Sequence, residues 1–455
     1  MKLYRFGRGG VHPKENKGFT ADKSVAPITP ADTLTLLLRQ NIGAPSRAVV
    51  KKGDTVSRGQ MIAEAGGFVG APIHSPIYGK VVKIENVRDI TGYWAEAVIL
   101  ERNPDDHVAA TLYEDIDDDL FLNVVEQLSP EDIIARIGDA GLVGLGGASF
   151  PTRVKFTIPE GKRIDTLIIN GAECEPYLTC DDRLMRERPA DVIRGALLLS
   201  LACRSQRIFI GIEVNKPEAV LRMRKAIDDL SGLIERLDRR VEVFGLRTRY
   251  PQGSEKHLIQ AVTDRIVPAG GLPADVRCVV DNVATAFAAL QAVVLQRPLT
   301  ARIVTVTGPE LLSPGNFIVE NGTTYRHLID AAGGVPEGSG KIISGGPMMG
   351  KAIVSLDAPV TKGVSGVVVL PDTQSHRRAE QPCIRCSRCV SVCAMGLEPY
   401  LLMTLSGLHL QQEAEARGVM NCIECGSCQY ICPSYRPLLD SIRLTKSIIR
   451  KNQKK

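Results

Sequence analysis

Eight of the twelve cysteines stand in two runs near the C-terminus, Cys383-Ile-Arg-Cys386-Ser-Arg-Cys389-Val-Ser-Val-Cys393 and Cys422-Ile-Glu-Cys425-Gly-Ser-Cys428-Gln-Tyr-Ile-Cys432-Pro433. Both runs share the spacing C-x2-C-x2-C-x3-C. Soft thiolates at these intervals can wrap a 4Fe–4S cube. The C-x2-C pair alone also suits tetrahedral zinc. The doubled four-cysteine pattern and the Cys432-Pro433 ending favour iron–sulfur. Around such ligands the chain must fold as a compact unit with two inorganic cores.

The pattern is similar to that of two-cluster ferredoxins, in which the fourth cysteine of each run crosses to the other cluster. It therefore predicts one ligand set of Cys383, Cys386, Cys389 and Cys432, and a second of Cys422, Cys425, Cys428 and Cys393. Ala394 stands where proline usually follows the fourth cysteine, leaving the ligands intact. Leu397 to Val419 reads as two short helices broken at Gly407, and Pro437 to Ile449 as an amphipathic helix. The basic tail (Arg443, Lys446, Arg450, Lys451, Lys454, Lys455) reads as a solvated helix end, with anionic lipid or an acidic partner as the alternative.

A chain of 455 residues is too long for one core and implies two to four domains. A net charge of +5 and 5% aromatic residues give no argument for a nucleic-acid partner. Lys2, Arg5 and Arg8 precede no apolar stretch, so no secretory signal is expected. No window reaches the roughly 20 apolar residues of a membrane span. A cytosolic setting, with reduced thiols, is the expectation.

In the middle of the chain Ser129-Pro130-Glu131-Asp132 is a helix start, and the helix ends before Gly141. A glycine loop follows, Gly144-Leu-Gly146-Gly-Ala-Ser-Phe150-Pro-Thr-Arg-Val-Lys155. Glycine lets backbone N–H groups approach a phosphate or a flat ring, and Lys155 offers a point charge. The loop lacks a full G-x-G-x-x-G and follows a helix, so a plain turn remains an alternative. Strands at 164–170, 207–213 and 241–246 alternate with helices at 190–202 and 217–229, which predicts a parallel α/β sheet.

Four segments in this order resemble the flavin-binding subunit of respiratory complex I: Gly144 to Thr152 with Lys155; Asn170-Gly-Ala-Glu173-Cys-Glu175-Pro176; Tyr250-Pro-Gln-Gly253-Ser-Glu255; and Asp281-Asn282-Val-Ala-Thr285. The resemblance implies a Rossmann-like FMN domain. It places Gly144, Gly146, Lys155, Asn170, Asn282 and Thr285 on FMN. Glu173, Glu175 and Glu255 would shape the nicotinamide side, and Phe150 would stack on the dinucleotide. Ala172 and Ser254 depart from the family's acids. Cys174, Cys180, Cys203 and Cys278 read as buried thiols. A nicotinamide carries two electrons as hydride and a cube takes one, so flavin fits between them.

Residues 45–101 alternate in short strands and look like the two halves of a biotinyl/lipoyl-type fold. The hairpin tip Gly66 to Gly70 has no lysine to modify, so no carrier role is expected. His74 reads as a turn residue. Residues 301–356 resemble the soluble-ligand-binding (SLBB) β-grasp domain of the same family, with a last strand at 363–370 and a linker at 371–381.

The expected architecture is thus a multidomain α/β chain. It comprises an N-terminal region with a β-rich barrel-sandwich module (1–128), an FMN/NADH domain (129–300), a β-grasp domain (301–370) and a helical two-cluster ferredoxin domain (371–455). This order, with Phe6-Gly-Arg-Gly-Gly-Val-His-Pro-Lys-Glu-Asn-Lys near the start, resembles the C-subunit family of Rnf electron-transport complexes. The resemblance implies a peripheral subunit on the cytoplasmic face of the cell membrane. It would exchange electrons between NAD(H), FMN and two 4Fe–4S clusters, coupled to Na+ or H+ translocation, with membrane subunits and a ferredoxin-type protein as partners. A soluble NADH-dependent flavin/iron–sulfur reductase, such as a cobalamin reductase, and a flavin-free electron carrier are the alternatives.

Overall fold

The computed structural model describes residues 3–110 and 114–453. Lys2, Lys454 and Lys455, named above, lie outside the described residues.

The strands Thr166–Gly171, Arg207–Glu213, Arg240–Leu246 and Cys278–Asn282 form one parallel sheet. Its spatial order is 240–246, 207–213, 166–171, 278–282. The first strand in sequence is therefore flanked by the second and the fourth. The crevice between 166–171 and 278–282 is the point where the winding reverses, which is where open α/β sheets bind ligands. Leu167 and Ile169 face the core that holds helices Pro189–Ala202 and Val283–Val294. Ile168 faces the opposite core with helix Glu255–Thr263. Coverage on both faces explains why this strand is a continuous apolar run rather than an alternating one.

Helix Pro130–Asp139 begins where the sequence predicts. Ser129 Oγ accepts the Asp132 N–H, and the Asp132 carboxylate accepts the Ser129 N–H, closing a capping box.

The N-terminal module stacks a four-stranded and a three-stranded antiparallel sheet over Leu34, Leu36, Ile62, Ile77, Val81 and Leu100. His74 is buried in the short strand Ile73–His74 rather than in a turn, and burial drops its pKa to about 4. Residues 3–30 do not belong to this module. Tyr4 bridges Leu246 and Val11 bridges Tyr250 at the edge of the parallel sheet. Val25–Pro27 joins the six-stranded sheet of the third domain, in parallel with Asn316 to Ile318. Free edge groups on both sheets are satisfied by this crossing segment.

The third domain is a mixed sheet (25–27, 315–320, 301–307, 366–371, 339–344, 351–352) with one helix, Tyr325–Asp330. Lys362, 1% exposed, ties three domains together: its ammonium donates to Pro72 O and Gly141 O, each at 2.7 Å.

The C-terminal domain is helical. Pro399–Gly407, Gln411–Ala416 and Leu438–Gln453 pack through Leu402, Leu405, Ala414, Ile442 and Ile449. Burying each Leu or Ile is worth about 1.5–3 kcal/mol. The expected solvated tail is corrected in part. Lys446 is buried, pairs with Glu424 and donates to Cys422 O at 2.6 Å, and Arg443 also pairs with Glu424. The end of the helix, from Arg450, is solvated, as are Leu444 and Ser447 on its outer side. Among the described residues no helix is long and apolar enough to cross a membrane.

Candidate functional site: a glycine shelf beside two cysteine cavities

At the winding crevice Asn170 and Asn282 are direct register partners. Asn282 caps helix Val283–Val294 through the Ala284 N–H, and its amide nitrogen donates to Asp181 at 2.7 Å. Asn170 donates to Gly253 O and accepts the Ala172 N–H, joining two loops. Thr285 is fully buried, and its hydroxyl accepts the Leu145 N–H at 2.9 Å. It therefore holds the glycine loop in place and is not itself open to a ligand.

That loop forms a bare shelf. Gly146, Gly147 and Ala148 are exposed, and Gly144 and Phe150 half-buried. A Cβ on Gly146 would sit 3.3 Å from the Asn282 Cβ, filling the space over the helix start. Gly147 has φ +102°, which favours glycine. At the crevice, Lys155 donates to Val280 O at 2.7 Å and reaches Glu255 at 3.3 Å. Burial opposes its charge, but Asp281 and Glu255 outweigh burial and raise its pKa. The buried Asp281 Oδ2 has no hydrogen-bond partner. A glycine shelf, a helix N-terminus and one ammonium fit a flat ring carrying a phosphate, so these residues suit a flavin mononucleotide.

The acids differ in setting. Glu255 is partly exposed beside Lys155. Glu173 is buried with φ +43° and accepts the Asp181 N–H. Burial lifts its pKa to about 7 despite Lys17. Glu175 does not face the shelf's opening with free oxygens. Its carboxylate accepts the N–H groups of Met348 and Met349 at 3.0 and 2.9 Å, and burial lifts its pKa to about 7. A Cβ on Gly346 would come within 2.2 Å of Glu175 Oε2, so only glycine admits this docking. Glu175 is an interdomain anchor, which no local motif signals. Cys180, Cys203 and Cys278 are buried, and Cys174 accepts the Gly253 N–H through its sulfur.

The two cysteine runs interleave. One cavity is lined by Cys383, Cys386, Cys389 and Cys432, and another by Cys393, Cys422, Cys425 and Cys428. Among the described residues, no three of these cysteines bring their sulfurs within 4.8 Å of one another. Tetrahedral zinc with Zn–S near 2.3 Å needs sulfurs about 3.8 Å apart. Four thiols lining each cavity match the four thiolates that a 4Fe–4S cube takes. Met395, Leu397 and Leu439 close the second cavity with apolar atoms.

The second cavity abuts the flavin-type domain. Tyr250, 2% exposed, donates its hydroxyl to Cys425 O at 2.8 Å. His257 Nε2 lies 3.2 Å from Ala394 O, and Gly10 N donates to Val392 O at 2.8 Å. The first cavity faces outward, with Cys383 and Cys386 exposed. The sequence marks Tyr250 only as the start of a loop motif; its adjacency to Cys425 is a tertiary fact.

Four family models match consecutive stretches: the RnfC barrel sandwich hybrid domain (5–105), the Nuo51 FMN-binding domain (137–291), the SLBB domain (303–352) and a 4Fe-4S dicluster domain (375–433). The chain is 38% identical to the C subunit of the Na(+)-translocating ferredoxin:NAD(+) oxidoreductase complex of Acetobacterium woodii, over 98% of both chains. It belongs to the C-subunit family of ion-translocating oxidoreductase complexes. Within that family it is also 42% identical to the C subunit of the proton-translocating ferredoxin:NAD(+) oxidoreductase complex of Clostridium ljungdahlii, over 90% of this chain and 86% of that one. The C subunit of the ion-translocating oxidoreductase complex of Rhodobacter capsulatus is 38% identical, over 87% of this chain and 74% of its own. A solved NAD+-reducing [NiFe]-hydrogenase chain shares the fold, with a TM-score of 0.52, 18% identity, and coverage of 71% of this chain and 64% of that chain. The C-subunit family membership brings an FMN-binding domain and a 4Fe–4S dicluster domain into one polypeptide.

Proposed function

We propose that this chain is the peripheral electron-input subunit of a membrane complex, on the cytoplasmic face, working between NAD(H) and two 4Fe–4S clusters by way of FMN. Its partner subunits would couple that exchange to Na+ or H+ translocation. The observation that carries the proposal is the second cysteine cavity, pressed by Tyr250 against the domain that holds the glycine shelf. Flavin supplies the exchange between hydride and single electrons.

The protein's own groups divide the work. Gly144 and Gly146 leave the shelf open to a ring, and Thr285 keeps that shelf registered to the helix start. Asn282 and the N–H groups beside it, with Lys155, oppose a phosphate's charge. Asn170 orients the neighbouring loop. Glu255 and Phe150 border the approach of a nicotinamide, and Glu173 lies behind it. Glu175 acts more remotely, fixing the SLBB domain against the shelf. Cys383, Cys386, Cys389 and Cys432 would ligate the outer cluster, and Cys393, Cys422, Cys425 and Cys428 the inner one. The β-grasp and Rossmann-like descriptions suit the two sheets by strand order.

The names of the relatives favour a subunit of a translocating complex over a soluble flavin reductase. Other subunits and a ferredoxin-type protein are the proposed partners. The test is oxygen-free purification with iron, sulfide and flavin assays, then NADH titration. About eight irons and one FMN per chain are expected, with flavin absorbance bleached by NADH. Zinc in place of iron, or no bleaching, overturns the reading. Failure to co-purify with membranes of the native cell would favour the soluble reductase.

A further inference from the structure

The N-terminal module presses a loop tip against the glycine shelf. The Ile42 N–H donates to Ser149 O at 3.1 Å. Arg153, on the short helix Thr152–Phe156 that follows the shelf, donates to Phe68 O at 3.4 Å. Its guanidinium carbon stands 6.0 Å from the Phe68 ring centre, within cation–π reach. Phe68 is 65% exposed and Ile42 54% exposed. Both adjoin the loop that exposes Gly146, Gly147 and Ala148, so an apolar wall runs from the shelf onto a different domain.

The tip is held stiffly. The Ala44 N–H donates to Val69 O at 2.9 Å. A Cβ on Gly43 would fall 2.2 Å from Val69 O, and one on Gly66 would fall 1.9 Å from Pro45 O, so the two loops of the tip pack backbone against backbone. Phe68 is therefore set in place before anything binds, which lowers the ordering cost of using it. Arg153 is steadied as well: its stem lies on Gly138, where a Cβ would fall 2.5 Å from the Arg153 Cδ. Its guanidinium makes no ion pair among the described residues. A fixed aromatic face beside an unpaired guanidinium suits a purine ring joined to phosphate. Ile42 and Phe68 fall outside the stretch 137–291 that matches the FMN-binding domain.

We propose that this tip is the outer wall of the dinucleotide site, with Phe68 stacking on the adenine of NAD(H), Ile42 bordering that ring and Arg153 facing the phosphates. The inference rests on the NAD(H) reading above and adds to it residues of another domain. Lys155 and Glu255, at the crevice, are left to the flavin and the nicotinamide. The wall is continuous with the shelf through the Ile42–Ser149 bond, which favours a nucleotide over a partner subunit as its occupant.

The test uses the full-length, iron- and flavin-loaded protein with ferricyanide as electron acceptor. Phe68→Ala should raise the KM for NADH about tenfold with kcat within twofold, and Phe68→Trp should restore it. Reduced nicotinamide mononucleotide lacks the adenosine, so its KM should be the same in all three proteins. Calorimetric titration with ADP-ribose, which needs no turnover, should show about tenfold weaker binding in Phe68→Ala and in Arg153→Ala. Flavin content and both cluster electron-paramagnetic-resonance (EPR) signals should stay unchanged, and Trp94→Ala, at an exposed position of the module's strand Trp94–Arg102, should change nothing. An unchanged KM for NADH and unchanged ADP-ribose binding in Phe68→Ala overturn the proposal. Equal losses with NADH and with the mononucleotide also overturn it. So does a Phe68→Ala protein that no longer co-purifies with membranes of the native cell while its nucleotide affinity holds. Absent bleaching by NADH in the unmodified protein would instead sink the electron-input reading.

Discussion

Exchanging Cys393 for alanine separates crossed from same-run ligation. Cys393 follows Cys389 by four residues but shares its cavity with Cys422, Cys425 and Cys428. Each cavity offers four thiols, so each would hold four irons and the chain about eight. Cys393→Ala should then lower iron and acid-labile sulfide from about eight to about four per chain. Cys422→Ala should cost the same, and the surviving EPR signal after dithionite reduction should be identical in both. The double variant decides the point. Cys393→Ala/Cys428→Ala removes two ligands of one site and should still hold about four irons. Cys393→Ala/Cys389→Ala removes one ligand from each site and should hold close to none. Non-additivity within a site and additivity between sites is the signature of shared ligation. Retention of about four irons in Cys393→Ala/Cys389→Ala would refute the crossed assignment. Near-zero iron in Cys393→Ala/Cys428→Ala would refute it equally.

Gly146→Val would push a branched side chain at Asn282 and should cut bound flavin to below about a tenth in absorbance spectra, with circular dichroism unchanged. Tyr250→Phe deletes the hydroxyl bond to Cys425 O and leaves that carbonyl unpaired, at about 1–3 kcal/mol; a slower flavin-to-cluster electron transfer in stopped flow is expected, and an unchanged rate and EPR line shape would remove Tyr250 from the path. Lys362 is fully buried and its pKa falls from 10.5 to about 7. Its unfolded form holds a proton up to the ordinary value, so stability should rise with pH between about 7 and 10.5. The Lys362→Met variant should show less of that slope in urea titrations. Glu173 shows the opposite sense: its folded pKa of about 7 lies above the ordinary 4.5, so the unfolded chain sheds its proton first and stability should fall as pH rises from 4.5 to 7. That difference of about 2.5 units corresponds to on the order of 3 kcal/mol, and Glu173→Gln should flatten the profile; an unaltered profile would show that Glu173 titrates as an ordinary acid.

Much of this was legible in the order of residues because the signals are local. Ligand spacing in the cysteine runs, the Ser129 cap, the glycine loop and the apolar run Leu167 to Ile169 each act within a few residues of themselves. Their chemistry follows from spacing, backbone freedom and side-chain period, which a linear reading can see. Tertiary structure decided what lies between distant segments. It laid Tyr4, Val11 and Val25–Pro27 along foreign sheet edges, where unpaired backbone groups needed partners. It turned Glu175 from the shelf toward Met348 and Met349, and drew Lys446 under the cysteine loop to neutralise Glu424. It also set Tyr250 against Cys425 and left Cys383 and Cys386 at the surface. Burial and long-range hydrogen bonding depend on which surfaces meet, and no window of sequence contains both surfaces.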